Sequence, residues 1–138
     1  MVTKLDQLIA ATEEESRTQR ITDEAYVRSR RALDEQIPGL WGRFRAAAKE
    51  QCNSRTKHLQ FLVAPSAEIV VERRGSRRTM KMRLFRDSGV IEFACGEASG
   101  HFTFGLNEHN LAVICDQDGK VYASVEVAAD EALSFLFV

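Results

Sequence analysis

Apolar residues recur along this chain with two different periods, and the change comes near residue 58. Before it they stand three and four apart, the spacing of one helix face. Leu5, Leu8 and Ile9 follow Thr3, whose hydroxyl suits a helix cap, and Thr12 comes next on the same face. That pattern predicts a first helix over about 4–18. Thr22, with Asp23 and Glu24 behind it, reads as a second cap with acids in the first turn, where the helix dipole favours negative charge. Ala25, Tyr26, Ala32 and Leu33 give this second helix, about 23–36, only a thin apolar stripe. Pro38 supplies a break or a first-turn position. A third helix over about 39–54 carries Leu40, Trp41, Phe44, Ala47, Ala48 and Cys52 on one continuous face.

From His58 the period is two, and the turns fix a register. Gly75-Ser76 predicts a two-residue hairpin turn that begins with glycine. Closing it pairs Val71 with Met80 and Ile69 with Met82 on one face, and Glu68 with Arg83 and Val70 with Lys81 on the other. A turn at Ser88-Gly89 sets Leu84 opposite Phe93 and Met82 opposite Cys95, and a longer loop through Gly96 and Gly100 sets Phe93 beside Phe104. The loop 107–110 pairs Leu106 with Leu111 and Phe104 with Val113, and Gln117-Asp118-Gly119 places Cys115 opposite Val121.

All five turns then send the same parity inward: Ile69, Met80, Met82, Leu84, Ile91, Phe93, Phe102, Phe104, Leu106, Leu111, Val113 and Val121. Leu59, Phe61 and Val63 join them from the first strand. The opposite parity, facing outward, includes Val70, Phe85, Ala112, Ile114 and Tyr122. Around Ser124 two periods compete: Val121, Ala123, Val125 and Val127 alternate like a strand, while Val125, Ala128, Ala129, Ala132, Leu133 and Leu136 repeat like a helix, and the alanines and Ser124 as cap favour the helix. The expected fold is a single α+β domain over 1–138. Three N-terminal helices precede a six- to seven-stranded antiparallel β-meander over about 58–124, with one face covered by helices, and a short C-terminal helix follows over about 125–136.

Composition narrows the function classes. The 138 residues are 44 % apolar and 28 % charged with a formal net charge of -1. These are globular values, and they exclude a globally basic nucleic-acid binder. The first residues lack the apolar run of a signal peptide, and no segment approaches the ~18 apolar residues of a membrane span. A cytoplasmic protein with no membrane partner is expected. The charge is uneven, however. Residues 38–87 hold twelve Lys or Arg against four acids, and residues 88–138 hold one against eight. The basic half contains Arg73-Arg74-Gly75-Ser76-Arg77-Arg78, with Lys81, Arg83 and Arg86 behind it.

No motif for chemistry emerges. Gly96, Ser99 and Gly100 form G-x-x-S-G, but a strand follows where a phosphate loop or nucleophile elbow requires a helix. His101 and His109 sit at opposite ends of one strand, roughly 20 Å apart, too far to share a metal ion. Cys52, Cys95 and Cys115 lack C-x-x-C spacing and fall on apolar faces, as buried free thiols do. No catalytic residue, metal or cofactor is therefore expected.

The leading reading is a non-enzymatic protein-interaction module that takes a protein partner or a second copy of itself. Phe85, Ile114 and Tyr122 on the open sheet face and Tyr26 on the second helix are its expected interface residues. One alternative is a small-ligand pocket between sheet and helices, lined by Phe93, Phe102, Phe104, Met80 and Met82. The other is an anion or nucleic-acid site at Arg73, Arg74, Arg77, Arg78 and Lys81, where arginine forks grip oxygens in pairs. Nucleic acid is disfavoured, because no exposed aromatic interleaves with these arginines to stack on bases.

Overall fold

Thr3 caps the first helix by the reciprocal device its position predicts. Its Oγ1 accepts from the Asp6 N–H at 3.2 Å, and Asp6 Oδ2 accepts from the Thr3 N–H at 3.3 Å. The computed structural model describes residues 3–138. It divides the chain into two compact units, one ending at Ala32 and one over Leu33–Val138.

The three expected helices are one, α1, over Lys4–Asn53. Neither predicted interruption acts. Thr22 does not cap; its hydroxyl donates to the Thr18 carbonyl at 3.0 Å, the back-bond a mid-helix threonine makes. Pro38 lies inside the helix. A proline there removes one backbone bond and costs roughly 3 kcal/mol. The helix continues because Leu33, Ile37, Leu40 and Trp41 on either side are each at most 8 % exposed, and their burial offsets that cost.

The unit from Leu33 onward contains six antiparallel strands in simple sequence order, curled into a half-barrel. They are β1 (Leu59–Leu62), β2 (Glu68–Arg73), β3 (Thr79–Phe85), β4 (Val90–Cys95), β5 (Ala98–Leu106) and β6 (Ala112–Cys115). A second helix, α2 (Val125–Ser134), follows with a 3-10 turn over Phe135–Phe137. Ser124 caps α2 as expected, its hydroxyl accepting from the Val127 N–H at 3.2 Å.

The register agrees with expectation between β2 and β3 and at the Cys115–Val121 bridge, keeps parity in two hairpins and inverts between β5 and β6. Between β2 and β3, Val71 pairs with Met80, Ile69 with Met82, Glu68 with Arg83 and Val70 with Lys81, as predicted. Between β3 and β4, Leu84 pairs with Ile91 rather than Phe93, a slip of two, because the loop is the four residues 86–89. Between β4 and β5, Phe93 pairs with Gly100 rather than Phe104, a slip of four, because a tight turn links Cys95 to Ala98. Even slips leave every side chain on its predicted face.

The β5–β6 hairpin slips by one. Phe104 pairs with Ile114 and Leu106 with Ala112, where Val113 and Leu111 were expected. Asn110 adopts φ +57°, a left-handed conformation asparagine tolerates, and the Asn107 N–H closes the loop on the Leu111 carbonyl at 2.9 Å. An odd loop length turns every residue of β6 over. Ile114 is 3 % exposed, whereas Leu111 and Val121 are 58 % and 50 % exposed. Val63 is also fully exposed, beyond the end of β1.

One hydrophobic cluster unites the inward strand residues with Leu33 through Cys52 of α1 and with Ala128, Ala129, Ala132, Leu133 and Leu136. Phe44 meets Phe102 edge-on at 6.3 Å, and Trp41 Nε1 donates to the Ser66 carbonyl at 2.7 Å. Gln36 bridges α1 to the β5–β6 loop, donating to the Asn110 carbonyl and accepting from the Ala112 N–H, both at 2.8 Å.

Candidate functional site

Closing the β2–β3 hairpin brings Arg73 and Arg78 level with each other, the Arg73 N–H donating to the Arg78 carbonyl at 2.9 Å. Both side chains are engaged by the protein's own last turn. Arg73 donates to the Leu136 carbonyl at 3.3 Å and stacks on the Phe137 ring at 4.6 Å. Arg78 donates to the Val138 carbonyl and, through Nε, to Cys95 Sγ at 3.3 Å. Lys81 pairs with Glu68 at 3.2 Å. Arg74 and Arg77 are exposed at the tip. The five expected anion-binding residues thus separate into two that hold residues 136–138, one in an ion pair, and two facing solvent.

The expected sheet-face interface separates too. Phe85 is 36 % exposed on the outward face, with the Arg83 guanidinium stacked over it at 5.2 Å. Ile114 and Tyr122 were expected beside it and instead face the core, since the odd loop at Asn110 inverts β6. The Tyr122 ring packs edge-on against Phe102 at 5.6 Å. Cys115, expected inside, is half-buried; Cys52 and Cys95 are buried.

Burial above all, then the charges of Glu131 and Asp116 and a hydrogen bond to Glu131, push the Tyr122 phenol up to about 12. Burial also pushes the Cys52 thiol up to about 11, against a smaller opposing pull from Arg55. Both folded values lie above the ordinary 10.0 and 9.0. The unfolded chain therefore releases these protons first, so stability is intact below about pH 9 and falls as pH rises through about 12. Urea midpoints measured from pH 8 to pH 11 are expected to decline, and Tyr122→Phe to decline less steeply. An equally steep fall in that variant would remove Tyr122 from the account.

The strand register also creates a feature that sequence reasoning saw only in part. Glu68, Arg83, Glu92 and His101 are successive partners across β2, β3, β4 and β5, a polar row on the outward face. Beside it an open cleft of about 650 Å³ is lined by Lys81, Arg83, Phe85, Glu92, His101 and neighbours. Only its Glu68–Arg83 step was legible, because the β4 and β5 registers were set by turns read too long or too short.

Among the described residues no group of three His, Cys, Asp or Glu is placed to hold a metal ion, and no helix is long and apolar enough to cross a membrane. Met80 and Met82 are fully buried, and the Phe93 ring lies 5.1 Å from Phe102 and 5.0 Å from Phe135. The residues of the expected ligand pocket pack on one another. No family model, curated protein or solved structure matches the chain.

The first part of α1 is exposed. No residue over 4–32 is buried. Leu5, Leu8, Ile9, Ile21, Tyr26 and Val27 are between 49 % and 71 % exposed. At 3.6 residues per turn, all of these except Ile21 fall within a face roughly 100° wide, which Thr12, Ser16 and Gln19 continue between its two apolar ends. Treating residues 4–18 and 23–36 as separate helices hid this, because Leu5 and Tyr26 share a face only when no break intervenes.

Proposed function

We propose that this protein is a protein-interaction module and that residues 4–32 of α1 are its docking helix. The observation that supports the reading is the face carrying Leu5, Leu8, Ile9, Tyr26 and Val27, each at least 49 % exposed on one continuous helix. Scattered apolar surface residues need no explanation, but five on one face of a segment in which no residue is buried suit a helix laid against a partner. An isolated helix of mostly polar residues is marginal in water, so docking also stabilises the element itself. Anion binding has less support, since Arg73 and Arg78 already hold the last turn.

A photocrosslinking residue tests the reading in the full chain. Tyr26→p-benzoylphenylalanine sits on the proposed face, and the same residue at Glu14 sits on the opposite side. Mixed with lysate of the cells that make the protein, the first is expected to give discrete covalent adducts, whether with itself or another protein, and the second none. No adduct from position 26 would sink the proposal.

A further inference from the structure

Charge along the docking helix is segregated rather than mixed. Residues 4–16 carry Lys4 against Asp6, Glu13, Glu14 and Glu15, a net -3. Residues 17–32 carry five arginines, Arg17, Arg20, Arg28, Arg30 and Arg31, against Asp23 and Glu24, a net +3. The helix is therefore its own electrostatic complement when reversed. Laid parallel, two copies set negative on negative and positive on positive; laid antiparallel, each half meets its opposite. We propose that residues 4–32 pair with the same segment of a second copy of this chain, antiparallel, about a two-fold axis near Arg17. This rests on the reading of that segment as a docking helix.

The side-chain pattern accommodates this orientation. An axis near Arg17 brings Leu8 of one copy opposite Tyr26 of the other, so the two apolar ends of the face cover each other and Thr12, Ser16 and Gln19 meet in the middle. Glu13 and Arg20 lie one heptad apart on the same edge of the face. Residues on the same edge face one another only when two helices run antiparallel. In that arrangement Glu13 of each copy reaches Arg20 of the other. A parallel pair would leave both to a different edge.

Three measurements on the full chain decide it. Light scattering at micromolar concentration is expected to give twice the 15.5 kDa of one chain. With p-benzoylphenylalanine at position 26, the crosslinked peptide of the second copy should map to residues 4–9. Glu13→Arg alone and Arg20→Glu alone should each weaken the dimer about tenfold, and the two together should restore it, as a swapped pair does. A strictly monomeric protein, or a crosslink to residues 22–30 of the second copy, overturns antiparallel pairing. So does a double variant no tighter than either single one. Adducts with a different protein alone would overturn self-pairing and leave the docking helix standing, whereas no adduct at all would remove both.

Discussion

Alanine in place of Phe44 is expected to remove about 3–5 kcal/mol of stability, the range for emptying a buried phenylalanine site. Phe44 is fully buried, lies 5.9 Å from Trp41 in a stacked arrangement and meets Phe102 of β5 edge-on. It is therefore the residue through which the buried part of α1 reaches the centre of the sheet. Neighbours fixed by strand pairing on one side and by the helix backbone on the other cannot collapse into the space, so the cavity term adds to the lost transfer energy. A domain of this size has about 5–15 kcal/mol in total, so the loss is a large fraction of it. Trp41 is the chain's single tryptophan, and its emission in a urea titration reports the change. Tyr26→Ala is the matched contrast. At 71 % exposure it should alter stability by no more than about 0.5 kcal/mol. A Phe44→Ala midpoint close to that of Tyr26→Ala would mean that α1 is not anchored through this ring.

Phe44 was legible in the sequence because a helix face and a period of 3.6 identify each other, and the run from Leu40 to Cys52 leaves no other assignment. The meander was legible for a related reason. Parity along a strand has only two values, and a buried face selects one of them, so the misplaced turns after β3 and β4 still delivered Met82, Ile91, Phe93 and Phe102 to the core. Register is finer than parity and depends on loop conformation. Asn110 in the left-handed region is a tertiary choice that Asn107-Glu108-His109-Asn110 does not dictate. That one residue moved Ile114 and Tyr122 from the surface to the core, and took two of the three expected sheet-interface residues with it.

The helix was misjudged in the opposite direction. Thr22 and Pro38 are good boundary residues by local rules, yet both sit inside α1. Local propensity is worth a few kcal/mol at most, and burial of Leu33, Ile37 and Leu40 outweighs it at Pro38. At Thr22 no burial is available. There the hydroxyl bonds back to the Thr18 carbonyl instead of capping, and the unbroken helix creates the apolar face from Leu5 to Val27. The internal contacts of the arginine hairpin were not legible: nothing near residues 73–78 in sequence announces that Leu136, Phe137 and Val138 will lie against it.

Gly100→Ala is expected to destabilise the protein by about 1–3 kcal/mol, although one methyl group on an ordinary strand residue is usually harmless. A Cβ built at Gly100 would lie 2.5 Å from Phe93 Cζ and 2.8 Å from Gln117 Nε2. Gly100 and Phe93 are direct cross-strand partners, and the ring lies over the glycine. The ring has nowhere to go. It is 3 % exposed and held between Phe102 and Phe135, so relieving the clash means moving three aromatic rings and the last turn that Arg73 and Arg78 hold. The Gly100 backbone is not left-handed, so the effect is steric and not conformational. Gly105→Ala supplies the control on the same strand, since its nearest neighbour would be Cys115 Sγ at 3.8 Å, an ordinary contact. Trimming the ring should relieve the clash: Phe93→Leu with Gly100→Ala is expected to cost less than the sum of the two single changes, by about 0.5–3 kcal/mol in a double-mutant cycle. Strict additivity would show that the methyl group displaces something other than Phe93.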